Sequence, residues 1–289
     1  MDTKDLIKKV RKIEIKTKML SNLLFAGEYH SAFKGKGMTF SEVREYQFGD
    51  DIRNIDWNVT ARFDHPYVKV YEEERELTVI LILDMSGSTE FGSQKQTKKE
   101  LIAELSAVLA FSANLNNDKI GAILFSNKVE KFIPPKKGRK HILRIISEIL
   151  AFEPAEKQTN ISTALKFFIN AIKKRSIAFI ISDFIDNNYE DALKIASQKH
   201  DIISICLYDL RETELLPMGL TYIKNPETNE TILIDTSNSK LLKKYKEWFI
   251  NHNAYTKEIF NKYKIDSLFL NTASDYVKPL NQLFKKRVK

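Results

Sequence analysis

The sequence predicts an α/β domain built on a doubly wound, mostly parallel sheet that is flanked by helices. Five apolar runs lie between residues 77 and 271, and stretches of helical periodicity separate most of them. Such continuous runs indicate strands buried on both faces, which is typical of a parallel sheet covered by helices. With 289 residues, 43% of them hydrophobic, the chain is long enough for one large domain or for one domain with an appendage.

The predicted elements alternate along the chain from residue 77. The strands are the runs 77–83, 119–125, 176–182, 201–208 and 265–271, and the helices cover 97–116, 138–151, 161–174, 188–199 and 239–263. Ser126 and Asn127 interrupt the pattern before the run KVEKFI, which predicts a hairpin and one antiparallel edge strand. Pro217, Gly219 and Pro226 indicate a small insertion at about 211–236, before the last long helix.

A different kind of sequence precedes this domain. Residues 3–25 carry apolar side chains at helical spacing, which predicts an amphipathic helix: Leu6, Val10, Ile13, Leu20 and Leu24. From Gly27 to about residue 75 no long periodic element is recognisable, and short extended segments such as 67–71 are expected. We therefore divide the chain into an N-terminal segment, 1–75, and an α/β domain, 76–289.

Composition narrows the class of protein only partly. Lys and Arg number 46 against 38 acidic residues, a net charge of +8 that would suit an acidic partner. Binding of nucleic acid is therefore the alternative function, although the lysines are scattered and no compact basic motif occurs. The single cysteine, Cys206, excludes an internal disulfide. No apolar stretch reaches the roughly 18 residues of a membrane span, which predicts a cytoplasmic protein.

Polar side chains cluster where predicted strands end. Asp84 ends the first strand of the α/β domain, and Ser86 and Ser88 follow it, while Asp183 ends another strand and Thr159 precedes a helix. The carboxyl ends of parallel strands meet at one edge, where ligands bind, so these side chains are expected to converge. Hard oxygen ligands of this kind suit Mg²⁺. Each residue alone would also serve as a helix cap or turn former.

The D-x-S-x-S pattern at 84–88, with the later Thr159 and Asp183, resembles the metal-ion-dependent adhesion site of von Willebrand factor A domains. The resemblance implies that Ser86, Ser88 and Thr159 ligate Mg²⁺ or Mn²⁺ directly, and that both aspartates act mainly through water. A carboxylate from a protein partner would complete the ligand shell. Asn160 stands where that family usually has an aspartate, so the pattern here lacks one negative charge.

Residues 35–75 carry a second pattern, rich in arginine and aspartate. The stretch is expected to form a lattice of ion pairs between the arginines Arg44, Arg53, Arg62 and Arg75 and the aspartates Asp50, Asp51 and Asp56. Trp57 is expected to pack on a neighbour as an anchor. The stretch resembles the signature of the DUF58 family. The matching positions are Gly35, Gly37, Phe40, Glu42, Arg44, Tyr46, Gly49, Asp50, Arg53, Asp56, Trp57, Ala61, Arg62, Glu74 and Arg75.

This second resemblance implies an adaptor that works with a MoxR-type AAA+ ATPase in chaperone-like assembly or activation of a protein complex. The signature would then form a second interaction surface, made by Arg44, Tyr46, Asp50, Asp51, Arg53, Asp56, Trp57 and Arg62.

The enzymatic alternatives fit the sequence poorly. If Asp84 were the nucleophile of a haloacid-dehalogenase-like phosphatase, a second carboxylate would be needed two residues later, where Ser86 stands. The chain also lacks the G-x-x-x-x-G-K-[ST] phosphate loop of many ATPases. The sequence therefore predicts a non-enzymatic protein.

Overall fold

The computed structural model describes residues 3–24, 38–63, 65–73, 77–93 and 96–288. The strands are β1 (Met38–Glu45), β2 (Tyr67–Glu73), β3 (Thr78–Asp84), β4 (Lys119–Phe125), β5 (Val129–Lys136), β6 (Ile177–Ser182), β7 (Asp201–Tyr208), β8 (Leu220–Lys224), β9 (Thr231–Asp235) and β10 (Asp266–Asn271). The helices are α1 (Thr3–Leu24), α2 (Trp57–Phe63), α3 (Lys98–Leu115), α4 (Arg139–Ala151), α5 (Ile161–Ala171), α6 (Glu190–Lys199), α7 (Leu210–Thr213), α8 (Ser239–Lys262) and α9 (Val277–Val288).

The central sheet has the strand order β10-β7-β6-β3-β4-β5 among the described residues. Its strands pair in parallel except for β5, which pairs antiparallel with β4 at the edge. The turn between these two strands contains Ser126 and Asn127, so the predicted hairpin and antiparallel edge strand are confirmed. The predicted fold class, a mostly parallel sheet flanked by helices, is confirmed as well.

Helices cover both faces of this sheet. On β3, Val79, Leu81 and Leu83 face a core shared with α1, α3, α4 and α9, whereas Ile80 and Ile82 face a core shared with α5, α6 and α8. All of these β3 side chains are fully buried. Successive side chains of a strand point to opposite faces, so burial on both sides explains why β3 is apolar throughout.

The order in which the chain adds strands reverses beside β3. The strands β4 and β5 lie on one side of β3, whereas β6, β7 and β10 lie on the other side. The carboxyl ends of β3 and β6 therefore flank a topological switch point, where open α/β sheets leave a crevice for ligands. Asp84 is the last residue of β3, and Asp183 directly follows β6.

Side-chain caps fix the starts of several helices near the sheet. Helix α3 begins after Thr97, which forms a reciprocal capping box with Glu100. Helix α5 begins after Asn160, whose side chain accepts a hydrogen bond from the Thr163 amide. This helix was predicted to reach residue 174 but ends at Ala171, where the chain turns toward β6.

Helix α1 packs on the α/β domain. Ile13 is buried in the core that also contains α3 and α4. Lys9 Nζ lies 2.9 Å from Glu100 Oε1, and Lys16 Nζ lies 2.6 Å from Glu104 Oε2, so ion pairs connect α1 to α3. The division of the chain at residues 75 and 76 stays a prediction.

The signature segment, residues 35–75, contains more regular structure in its described part than its sequence suggests. Strands β1 and β2 pair antiparallel, with a register shift between Phe40 and Glu42, and the extended segment predicted at 67–71 lies within β2. The eight-residue β1 and the seven-residue β2 are the short extended segments expected there, whereas the seven-residue helix α2 was not predicted. A two-turn helix is too short to show a clear helical period, which explains why α2 was missed.

Several predicted features fall outside the described part of the chain. These are the residues Gly35, Gly37, Glu74 and Arg75 and the side chains of Leu6, Leu24 and Phe40. Of the helices that are described, none is both long and apolar enough to cross a membrane.

Candidate functional site

Asp84 lies at the base of the switch-point crevice and is completely buried. Its Oδ1 accepts a 2.9 Å hydrogen bond from the Ser86 amide, and its Oδ2 accepts a 2.5 Å bond from the hydroxyl of Ser182, the last residue of β6. Burial, assisted by the nearby charge of Asp183, raises the pKa of Asp84 to about 7. The carboxylate is therefore firmly oriented but lacks a nearby positive charge sufficient to offset its burial.

Ser86 and Ser88 belong to the turn that follows β3. A 3₁₀ turn over Gly87–Glu90 places their hydroxyl oxygens 3.2 Å apart. The Thr89 hydroxyl donates a 2.7 Å hydrogen bond to the Ser86 carbonyl and closes this turn. The structure thus brings two hydroxyl groups to one point, as the alternating sequence predicts, and both serines are buried.

Asp183 joins this cluster from β6. Its Oδ2 accepts a 2.7 Å hydrogen bond from the Ser88 hydroxyl and a 2.9 Å bond from Lys98 Nζ. Burial acts to raise the pKa of Asp183, but the charge of Lys98 and the hydrogen bonds outweigh it and lower that pKa. The next residue, Phe184, has a φ of +57°, a left-handed conformation that is strained for a bulky side chain. Such strain is typical of functional sites.

Lys98 is the main residue of the site that the sequence did not reveal. Its side chain is 1% exposed, and its Nζ lies 2.9 Å from Asp183 Oδ2 and 2.7 Å from Glu212 Oε1. Burial alone would lower the pKa of Lys98, but these two carboxylates raise it, so the ammonium stays charged. A lysine in the first turn of a helix is unfavourable because of the helix dipole. The position of Lys98 at the start of a predicted helix was therefore the sequence feature that could have indicated a special role for it.

Thr159 reaches the same region from the loop before α5. In this loop, the Lys157 carbonyl accepts a 2.8 Å hydrogen bond from the Gly87 amide. This bond joins the loop to the turn that carries Ser86 and Ser88, called the serine turn below. The Thr159 hydroxyl donates a 2.8 Å hydrogen bond to Glu227 Oε1, a carboxylate from the turn between β8 and β9. Asn160, which stands where an aspartate is usual, caps α5, so Thr159 itself is not used as the cap.

The donor set fits a small hard cation. Three of the five candidates are hydroxyl groups and two are buried carboxyl groups, a combination suited to Mg²⁺ or Mn²⁺ with additional water ligands. Among the described residues, no group of three or more His, Cys, Asp and Glu side chains is arranged to hold a metal by itself. A metal bound at this crevice would therefore depend on Ser86, Ser88 and Thr159.

The signature segment contains one well-formed ion pair. Arg44 binds Asp50 through two hydrogen bonds, Nη1 to Oδ2 at 2.7 Å and Nη2 to Oδ1 at 2.8 Å. The Gln47 amide also donates to Asp50, and these bonds, that of Arg44 first, lower the pKa of the carboxyl group. The backbone amide of Tyr46 donates to the Pro66 carbonyl, which joins this turn to the start of β2.

Other predicted ion pairs of the segment are looser or have different partners. Arg53 Nε lies 3.2 Å from Asp51 Oδ1, and the Arg53 side chain is highly exposed. Asp56 pairs with Lys69 at 3.4 Å, and no arginine in the described part of the chain pairs with it, while its Oδ1 caps α2. The predicted lattice is therefore partly formed among the described residues, with Arg44 and Asp50 as its strongest pair.

The expectation that Trp57 packs as an anchor is wrong for the described residues, because its side chain is 68% exposed at the start of α2. Arg62 is exposed on the same helix, and Phe48 and Ile52 are exposed on the preceding turns. Three of these exposed side chains are large and apolar: Phe48, Ile52 and Trp57.

Fold and site together define an α/β protein with a buried cluster of carboxyl and hydroxyl groups at the switch point of its sheet. The family described as "Protein of unknown function DUF58" matches residues 42–255, and the chain belongs to this family. An uncharacterized protein of Mycobacterium tuberculosis (strain ATCC 25618 / H37Rv) is 29% identical over 232 residues, which cover 79% of this chain and 73% of that protein.

Solved structures are similar in fold. The conserved hypothetical protein BatB from Bacteroides thetaiotaomicron gives a TM-score of 0.51 at 16% identity, over 73% of this chain and 98% of that chain. The SpRpn10 VWA domain gives a TM-score of 0.39 at 12% identity, over 73% of this chain and 95% of that chain. At such identities the likeness to BatB concerns the fold alone.

Proposed function

We propose that the protein is a non-enzymatic adaptor that binds a protein partner through a divalent metal ion, Mg²⁺ or Mn²⁺. The observation that carries this proposal is the hydrogen-bonded cluster of Asp84, Ser86, Ser88 and Asp183 at the switch point. The DUF58 resemblance supports a partnership with a MoxR-type AAA+ ATPase, in which the adaptor would assist assembly or activation of a protein complex.

Ser86, Ser88 and Thr159 would ligate the metal directly. The hydroxyl oxygens of Ser86 and Ser88 are 3.2 Å apart, so both could contact one cation. When bound, the metal would supply a positive charge to which a partner's carboxylate can bind.

Asp84 and Asp183 would hold water ligands and balance the charge. Both oxygens of Asp84 accept hydrogen bonds from the protein, so its orientation is set before any ligand arrives. Lys98 does the same for Asp183 and keeps that carboxyl group ionised. The chain thus prepares an arrangement of negative groups around the serine hydroxyls.

The surroundings of Ser88 suit a protein ligand. A cavity of about 690 Å³ lies beside Ser88 and extends between the β8–β9 hairpin and α8. Its apolar wall includes Ile223, Leu241 and Trp248. A partner segment with an acidic residue for the metal and an apolar side chain for this cavity would match both features, because apolar burial adds affinity beside a charged contact.

Calorimetric titration of the metal-free protein with Mg²⁺ and Mn²⁺ tests the metal site. Saturable binding is expected for the wild type and loss of binding for the Ser86→Ala, Ser88→Ala double variant. Ser112→Ala is the matched control, because Ser112 is equally buried but donates to the Val108 carbonyl inside α3. Equal binding by the double variant and the control would contradict the proposed ligands.

Affinity capture with a MoxR-type ATPase tests the partnership. Retention is expected in Mg²⁺ and loss of retention in EDTA or with the double variant. Retention that is insensitive to metal would place the contact elsewhere, with the surface around Trp57 as the first candidate. DNA binding that weakens steeply with salt but ignores Mg²⁺ would instead favour the nucleic-acid alternative.

A further inference from the structure

The turn between β8 and β9 lies directly over the candidate metal site. The Pro226 carbonyl oxygen is so close to Gly87 that a Cβ atom at residue 87 would lie 2.2 Å from it. On the other side of the turn, Lys157 Nζ donates a 3.1 Å hydrogen bond to Asn229 Oδ1. The turn therefore contacts both loops that carry the candidate ligands, the serine turn after β3 and the loop of Thr159.

Glu227 is the residue of this turn that enters the site. Its Oε1 accepts the 2.8 Å hydrogen bond from the Thr159 hydroxyl, one of the expected metal ligands. The side chain of Glu227 is partly buried and lines the same cavity as Ser88. A carboxylate oxygen within hydrogen-bond distance of an expected ligand could bind the same cation, because Mg²⁺ and Mn²⁺ prefer oxygen ligands of this kind.

Two other glutamates near the crevice have different roles. Glu212 Oε1 lies 2.7 Å from Lys98 Nζ, and Glu212 Oε2 accepts a hydrogen bond from the Asp209 amide in a capping box. Glu230 belongs to the same turn as Glu227, but its Oε2 accepts from the Thr228 hydroxyl of that turn. Among these three glutamates, Glu227 is the one hydrogen-bonded to a candidate metal ligand.

We propose that Glu227 is an internal ligand of the metal, and that its carboxylate takes the position which a partner's carboxylate would otherwise take. The β8–β9 hairpin is then a cap that must move away before an acidic partner segment can bind. This inference rests on the proposed metal-dependent function and deepens it, because it states what occupies the site between binding events.

The construction of the hairpin is consistent with such movement. Its outward side chains are strongly exposed, with Leu220 at 72% and Tyr222 at 74%, and the 690 Å³ cavity separates part of its inner side from α8. Few buried contacts therefore oppose a local opening. The base of the hairpin is fixed by Thr236, which is buried and hydrogen-bonded to both Met218 and Gly219. Gly219 has a φ of +81° and provides a flexible point beside this anchor.

Mn²⁺ titration of the full-length Glu227→Gln variant tests the inference, with Glu230→Gln as the matched control. Glutamine keeps an oxygen acceptor for Thr159 but removes the charge. Calorimetry should show Mn²⁺ affinity about tenfold weaker for Glu227→Gln and unchanged for Glu230→Gln. Water-proton relaxation should rise for bound Mn²⁺ in Glu227→Gln, because a water molecule replaces the carboxylate. Added acetate should lower this relaxation in the variant but not in the wild type.

The possible failures are distinguishable. If the wild type binds Mn²⁺ and both glutamine variants match it in affinity and relaxation, the role of Glu227 is overturned while the proposed function stands. If the wild type and the Ser86→Ala, Ser88→Ala variant both fail to bind Mn²⁺, the proposed function and the role of Glu227 are overturned together. Thermal unfolding of each variant without metal confirms that the comparison is made between folded proteins.

Discussion

Lys98 and Asp183 form a buried ion pair, in which Nζ lies 2.9 Å from Oδ2 and the two side chains are 1% and 3% exposed. Lys98 also binds Glu212, so one ammonium group serves two carboxylates. The positive charge needed beside Asp183 is thus partly built into the protein. Lys98 therefore reduces the negative charge around the serine hydroxyls. We expect this reduction to weaken the affinity of the site for a divalent cation.

The Lys98→Met variant tests how much the pair of Lys98 and Asp183 contributes to the free energy of unfolding. The change keeps much of the side-chain volume but leaves the buried Asp183 and the partly buried Glu212 without their counter-charge. Loss of one partner of a buried ion pair costs about 3–5 kcal/mol in comparable cases. We expect the free energy of unfolding, measured by urea denaturation in EDTA, to fall by about 3 kcal/mol. Added Mg²⁺ should restore part of this loss if the metal binds only the folded state.

Lys99→Met is the control for the charge change. Lys99 pairs with Glu90, which is 59% exposed, and pairs of that kind contribute about 0–1 kcal/mol. Equal losses of stability in the two variants would show that the pair of Lys98 and Asp183 has no special energetic role.

Asp209, which directly follows β7, gives a prediction about the pH dependence of stability. Burial acts to raise its pKa, but hydrogen bonds from the hydroxyls of Ser93 and Thr272 and from the Arg211 amide lower that pKa to about 2. A carboxyl group with a lowered pKa stabilises the fold above its unfolded pKa of about 4. Protonation removes this stabilisation as the pH falls from about 4 toward 2.

Asp209→Asn should therefore reduce the free energy of unfolding at pH 7 by about 2 kcal/mol, because hydrogen bonds to a charged group are lost. The difference from the wild type should shrink as the pH falls below about 4. Denaturation curves measured between pH 2.5 and 7 check both statements. A difference that stays constant over this range would show that ionisation of Asp209 is unimportant.

Ser182 and Ser106 are both buried, but we expect their replacement by alanine to affect stability differently. The Ser182 hydroxyl donates to Asp84 and accepts from the Phe184 amide, whereas the Ser106 hydroxyl has no hydrogen-bond partner among the described residues. Removing a partner from a buried polar group costs about 1–3 kcal/mol. We expect Ser182→Ala to lower the free energy of unfolding by about 2 kcal/mol and Ser106→Ala to leave it unchanged or raise it. Thermal or urea unfolding of the two variants decides this.

The sequence predicts the architecture better than it predicts the surroundings of the site. Strands such as β3 are recognisable because burial on both faces requires an unbroken apolar run. The positions of Asp84 and Asp183 follow from the same rule, since both lie where a predicted strand ends. Glu227 and Lys98 could not be found this way. They reach the site from a hairpin turn and a helix terminus, whose placement depends on tertiary packing and not on local period.

For Trp57, the sequence predicted a packing role that the structure does not show. An aromatic residue within a charged segment suggested a packed anchor, but α2 presents Trp57 to solvent. Burial of a single large side chain depends on which face of a short helix meets a neighbour, and seven residues of sequence do not define that face.

Gly87→Ala tests whether the β8–β9 turn is seated as closely on the serine turn as the structure indicates. The added Cβ would lie 2.2 Å from the Pro226 carbonyl oxygen, a backbone atom, so the turn must shift. Overpacking of this kind costs about 1–3 kcal/mol. We expect faster cleavage within residues 225–230 by a protease of broad specificity, because displacement exposes the turn. Gly138→Ala is the control: it strains a φ of +97° but contacts nothing within 4 Å. It should lose stability without faster cleavage at 225–230, and equal cleavage of both variants would contradict the close seating of the turn.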